Sequence, residues 1–252
     1  MSDFRPRSSS ELLDAAFEIY RRHFLVLMAI SVFAAIPDAA ASYVSEGAIL
    51  TQSTGGLMNG LLVRLAGLLI SPFTTGAVAV TTSIAYLGGT VDLGNVLRVV
   101  FARPVRLFFA TLTVAFLVGF GLVLFIVPGF IAYKRYFAVL MVVLFEDRSI
   151  GKAMSRSREL ADGNGTRIFG LIGAVFLFAI LVSMFLAGGL TAVTHGAPRV
   201  IGRMIIIMVV NPFATIVATL LYYDIRIRKE GYDIELMAEA LAPSPLVPQP
   251  SA

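Results

Sequence analysis

Six apolar stretches, each near the ~20 residues a helix needs to cross a bilayer, constrain this chain more than any other feature. They run over about 24–44, 65–87, 106–127, 129–145, 168–190 and 200–223. Hydrocarbon offers no water to an unpaired backbone, so a crossing segment must satisfy its own N–H and C=O groups, as a helix does. Charged residues are 14% of 252, against about 25% in soluble domains, which argues against a water-soluble fold. The expected fold class is all-α integral membrane, with six transmembrane helices.

Two span ends need a decision. The second apolar run begins at Leu57, too early for one perpendicular crossing, so residues 57–63 are expected along the interface and the span near Arg64 onward. The third and fourth spans are divided at Val127-Pro128-Gly129, because proline stops a helix and glycine frees the chain. Lys134 and Arg135 interrupt the fourth span about 7–9 Å past that division at helical rise.

Orientation follows from Lys and Arg. With the N-terminus inside, 15 of the 20 basic residues fall in cytoplasmic segments, from Arg5 and Arg7 through Arg103, Arg106 and Arg167 to Lys229. The segment 44–63 has none. The positive-inside rule then places both termini in the cytoplasm. Ala39-Ala40-Ala41 resembles a signal cleavage site. The segment before it, however, is long and carries Asp3, Glu11, Asp14 and Glu18, so residues 1–41 are expected to stay.

Short amphipathic stripes precede the odd-numbered spans. Leu12, Leu13, Ala16, Phe17 and Tyr20 precede the first; Val96, Leu97, Val100 and Phe101 the third; Ile150, Ala153, Met154, Ser157 and Leu160 the fifth. Such helices suit the interface plane, and they are expected over about 9–22, 92–103 and 149–162, with a fourth over 233–241. Basic residues then lead into aromatic-led spans at Arg21-Arg22-His23-Phe24, Arg106-Leu107-Phe108 and Arg167-Ile168-Phe169. Ser71-Pro72-Phe73-Thr74-Thr75 in the second span matches Asn211-Pro212-Phe213-Ala214-Thr215 in the sixth, and Pro128-Gly129-Phe130 leads the fourth. One domain over 1–242 is expected, with an interfacial helix plus a two-helix hairpin used three times. The tail 243–252 is Pro-rich and expected to be disordered.

These motifs also carry a family resemblance. Val127-Pro128-Gly129-Phe130, Phe145-Glu146-Asp147-Arg148-Ser149-Ile150-Gly151-Lys152-Ala153, and Ser157-Arg158-Glu159-Leu160 with Gly163-Asn164 are similar to a pattern P-G … E … A-x-x-x-S … L … G-N. The close, Leu221-Tyr222-Tyr223-Asp224-Ile225-Arg226-Ile227-Arg228-Lys229-Glu230-Gly231, and the opening, Leu13 to Phe24, fit as well. Together they resemble the membrane domain found beside some bacterial glycerophosphodiester phosphodiesterases, and its stand-alone relatives of unknown function. The likeness extends over most of residues 9–240. It implies a non-catalytic module of the bacterial cytoplasmic (inner) membrane, since hydrolysis in the fused proteins belongs to a soluble barrel.

Enzymatic motifs are absent: no H-E-x-x-H, G-x-S-x-G, Walker loop or dinucleotide fingerprint occurs. Without cysteine, and with His23 and His195 expected near opposite faces, no metal or cofactor is expected. Adjacent Glu146 and Asp147 point about 100° apart on a helix, poor geometry for shared acid–base work. The net charge of +4 is accounted for by loop bias, so nucleic acid is not an expected partner.

Arg64, Lys134, Arg135 and Arg203 each fall early in an even-numbered span, near the outer face where those helices begin, with Asp38 in the same layer. Around a pseudo-threefold axis they would line one outward pocket for a phosphate, such as an anionic lipid head group; otherwise they snorkel. The leading function is thus binding or handling an anionic lipid or amphiphile. The alternative is a scaffold or regulatory partner of another membrane protein, acting through Glu146, Asp147, Arg148, Arg156, Arg158, Asp224, Arg226 and Arg228. A transporter or channel ranks third, for lack of a mid-membrane carboxylate or inverted repeat.

Overall fold

The computed structural model describes residues 6–50, 54–186 and 197–231, and these are helical with short connections. In chain order the helices are α1 (Ser9–Arg22), α2 (Phe24–Leu50), α3 (Thr54–Tyr86), α4 (Leu93–Phe101), α5 (Pro104–Leu124), α6 (Ile126–Tyr136), α7 (Val139–Phe145), α8 (Ile150–Ala161), α9 (Gly165–Leu186) and α10 (Ala197–Glu230). Six segments are long and apolar enough to cross a membrane: Phe24–Ser45, Thr54–Tyr86, Pro104–Leu124, Val127–Phe145, Gly165–Phe185 and Val200–Glu230. They correspond one for one to the six apolar stretches of the sequence. The stripe at 233–241, the tail 243–252 and His195 lie outside the described residues.

The short helices form where the stripes and caps direct them. Ser8 accepts from the Glu11 amide at 3.2 Å while the Glu11 carboxylate accepts from the Ser8 amide at 2.6 Å, a reciprocal cap that starts α1. Asp92 caps α4 through the Asn95 amide at 2.9 Å. In each the core face is closed: Leu12 and Ala16 in α1, Val96 and Val100 in α4, and Ala153, Ser157 and Leu160 in α8 are buried.

Two expectations about span ends are overturned. Residues 57–63 do not form a separate segment; α3 is continuous from Thr54, about 50 Å at helical rise. Glycines explain why it stays against α2. A β-carbon on Gly67 would stand 3.1 Å from the Pro37 ring, and one on Gly60 would stand 3.3 Å from the Ala41 carbonyl, so α2 and α3 pack backbone to backbone along this stretch.

The division between spans three and four also moves. The chain breaks at Phe125, which is extended (φ −158°, ψ 147°), and Pro128 sits inside the first turn of α6. Proline is tolerated there because a first-turn amide has no helical partner. The fourth span has a second break at Phe137–Ala138, dividing it into α6 and α7.

Burial is concentrated at one end of the bundle, here called the base, where α1, α4, α8 and the end of α10 gather. The core draws on Leu27, Val78, Leu107, Val142, Ile168 and Leu220, each from the base-proximal part of its span. Away from the base, side chains such as Phe116, Val123, Phe176 and Phe185 are exposed. The helices are thus closely packed at the base and present apolar surface beyond it, as a lipid-facing bundle does.

Candidate functional site

Three acidic residues organise the base. Asp224, 2% exposed, accepts from Arg167 at 2.8 Å, from Arg228 at 2.9 Å and from the Arg7 amide at 2.8 Å. The Arg7 carbonyl in turn accepts from Arg167 and Arg228, and the Arg7 guanidinium lies over the Tyr86 ring. The segment before α1 is therefore tied down by its backbone across the ends of α3, α9 and α10.

Glu146 is the second centre. Its carboxylate receives Arg148 at 2.9 Å, Arg156 at 3.1 Å and the Tyr222 hydroxyl at 2.9 Å. Arg156 also reaches Glu230, which pairs with Arg226 at 3.1 Å. Burial opposes the charge of Arg156, but the neighbouring Glu146 and Glu230 outweigh it and raise its pKa. Asp147, the third centre, adopts φ 50° and is held by Arg103 at 2.7 Å and Arg106 at 2.6 Å.

These contacts change the role expected of the partner-surface residues. Glu146 and Asp224 face inward and are taken up by internal ion pairs, as are Arg156, Arg226 and Arg228. Breaking such pairs would leave a buried charge uncompensated, so they brace the base more than they offer a docking face. Asp147 and Arg148 are exposed but paired. Of the set, Arg158 alone has no acid partner among the described residues; its Nε donates to the Tyr136 hydroxyl at 3.1 Å and its guanidinium lies 5.1 Å from that ring centre.

The five residues expected to share an outer pocket do not come together. Arg203 and Asp38 pair at 2.7 Å, and Arg64 is exposed on α3. These three stand more than a dozen residues of helix from the base. Lys134 and Arg135 belong to the base instead. The Lys134 ammonium lies 3.0 Å from where a β-carbon would sit on Gly165, at the start of α9. The Arg135 carbonyl accepts from Ser157 of α8 at 2.9 Å. The physical reason is the break at Phe137–Ala138, into which α8 folds back. Ser157, fully buried, also accepts from the Ala138 amide at 3.2 Å, satisfying two backbone groups that the break sets free.

Beside this break the helices leave apolar space. Tyr133 stands where three hollows meet: 250 Å³ between α5 and the α6–α7 break, 290 Å³ between α5, α6 and α9, and 50 Å³ between α6, α9 and α10. On α5 they extend from Ala110 to Leu122, about 18 Å at helical rise. Tyr136 lines the hollow nearest the base, with Arg158 on its ring. Lys134, Arg135 and Arg158 have no acid partner among the described residues. A largely apolar cleft whose base-side wall holds Tyr136, with Arg158 on that ring, can hold an amphiphile with a negative head. The sequence signalled Lys134 and Arg135 by their place inside a span; Arg158 and Tyr136 gave no such sign.

Among the described residues no group of three His, Asp or Glu side chains is placed to hold a metal ion. Comparison of the chain with family models, with curated proteins and with solved structures finds no match.

Proposed function

We propose that this is a non-catalytic protein of the bacterial inner membrane that binds or handles an anionic lipid or amphiphile at the cytoplasmic leaflet. The observation that carries this reading is the largely apolar cleft beside α6, whose base-side wall holds Tyr136 with Arg158 on its ring; Lys134 and Arg135, on the same helix and without acid partners among the described residues, are read as adding to that charge. Arg and Lys near an anionic head group contribute about 1 kcal/mol each, and an acyl chain in the cleft replaces bulk lipid at little cost. The excess of Lys and Arg in the segments near the base supports a cytoplasmic base, with both termini on that side.

We also read the chain as a threefold construction, and contacts at the base support that reading. Arg106 reaches Asp147 and Arg167 reaches Asp224, so in two hairpins the base of the odd span clasps the end of the even one. Each even-numbered span touches an interfacial helix: α3 meets α4 and α7 meets α8, the helices that follow them, while α10 meets α1 at the start of the chain. The Tyr223 ring contacts both Tyr86 at 5.4 Å and Phe145 at 5.9 Å, so the ends of all three even spans meet. Thr74 and Thr215, in the two matched Pro-Phe motifs, each donate at 3.0 Å to the carbonyl before the proline.

The test is native mass spectrometry of the purified protein. The triple variant Lys134→Ala, Arg135→Ala, Arg158→Ala should lose bound anionic lipid that the parent retains. Equal retention by parent and variant sinks the proposal. A membrane scaffold is the second reading, favoured by Phe17, 57% exposed on the outer side of α1; it predicts a stoichiometric partner crosslinked through that helix.

A further inference from the structure

A second apolar space, sharing no lining residue with the α6 cleft, lies between α2, α3 and α4. It measures 430 Å³ and is walled by Phe33, Leu69, Ile70 and Phe73 from the spans and by Leu97 and Phe101 from the interfacial helix. Helix α4 has two apolar stripes: Val96 and Val100 are closed into the core, while Leu93, Leu97 and Phe101 turn about half their surface to this groove. The Phe101 and Phe73 rings stack at 5.1 Å and 13° beside it. The Thr74 hydroxyl in the wall is committed to the Ser71 carbonyl. The lining therefore offers hydrocarbon contact and no free hydrogen-bonding side chain.

The walls are hydrocarbon and the groove runs ~12 Å along α4 between Leu93 and Phe101 at helical rise, a shape that suits one extended hydrocarbon chain. Arg98 follows the groove residue Leu97 in α4, is exposed, and has no acid partner among the described residues. Asp92, the acid beside α4, is committed to capping that helix.

We infer that the groove between α2, α3 and α4 binds one acyl chain of an anionic lipid, with the head group at Arg98, as a site separate from the α6 cleft. The bound chain covers the second stripe of α4 and holds that helix against the spans. Arg98 gives the site its preference for negative head groups.

The chain contains no tryptophan, so one introduced tryptophan reports on one place. The full-length protein carrying Phe33→Trp, in phosphatidylcholine vesicles with rising fractions of brominated phosphatidylglycerol, should be half-quenched at about a fivefold lower fraction than the same protein carrying Phe116→Trp on the open surface of α5, the ratio expected of roughly 1 kcal/mol. Leu97→Trp serves as a second groove reporter if Phe33→Trp fails to fold. Adding Ile70→Phe should abolish the difference, and Arg98→Gln should remove the preference for phosphatidylglycerol over brominated phosphatidylcholine. Lys134→Ala with Arg135→Ala should change neither, which separates this site from the one proposed above. Coincident curves at the two reporters mean ordinary surrounding lipid and overturn the inference. So does a difference that survives Ile70→Phe, or quenching that falls as protein density rises, the sign of a second copy in the groove. Preference that persists in Arg98→Gln overturns the head-group assignment.

Discussion

The Ser157 hydroxyl accepts a hydrogen bond from the Ala138 amide at 3.2 Å, 19 positions away in the chain, and so closes the break between α6 and α7. The same hydroxyl donates to the Arg135 carbonyl. Ser157→Ala leaves both backbone groups unpaired in an apolar setting, at a cost of about 1–3 kcal/mol. Thermal unfolding in mild detergent should register that loss, and an unchanged midpoint would show that water replaces the hydroxyl.

Asp224 is a stronger determinant. Its buried carboxylate faces Arg167 and Arg228 together, so Asp224→Ala strands two guanidinium groups and should cost about 3–5 kcal/mol. A double-mutant cycle with Arg167→Met measures the coupling. Additive effects of the two substitutions would mean that the pair contributes nothing beyond its separate residues.

The turn between α5 and α6 depends on close backbone approach. A β-carbon on Gly121 would stand 2.9 Å from the backbone of Gly129, which cannot yield as a side chain can. Gly121→Ala should therefore force the hairpin apart and destabilise the protein by about 1–3 kcal/mol. Gly119→Ala, where a β-carbon meets nothing within 4 Å, is the matched control and should be close to neutral.

His23 ends α1 at the base, and burial first, then the charge of Arg22, lowers its pKa below the ordinary 6.5. The folded state thus binds the proton less readily than the unfolded chain. Its contribution is fully present above pH 6.5 and is lost as pH falls through the folded pKa. His23→Gln should flatten the stability profile below pH 6.5; a variant that retains the parent's slope there would assign the effect to other groups.

Much of the architecture is legible in the residues themselves. The spans stand out because some twenty consecutive apolar side chains have one use in a bilayer, and the stripe of Leu12, Ala16 and Tyr20 marks its own buried face. The motif residues acquire reasons once placed. Ala153 and Leu160 are core, Ser157 mends a broken helix, Gly163 takes the left-handed φ of 76°, and the Asn164 amide donates to the Leu160 carbonyl at 3.2 Å. The site was half legible: Lys134 and Arg135 were conspicuous as charges inside a span, but their depth was read from an unbroken helix. Phe137 and Ala138 carry no breaking signal of their own, so the second break could not be read there.

The sequence by itself determined the membrane-spanning class, the number of apolar spans and the short amphipathic helices, because hydropathy and periodicity are properties of neighbouring residues. Tertiary structure alone decided which charges are spent and which are free. Arg7 meets Asp224 across 217 positions, and Asp38 meets Arg203 across 165, while Lys134, Arg135 and Arg158 are left without a counter-ion among the described residues. Ion pairing depends on which helix ends are packed together, and no local pattern encodes that.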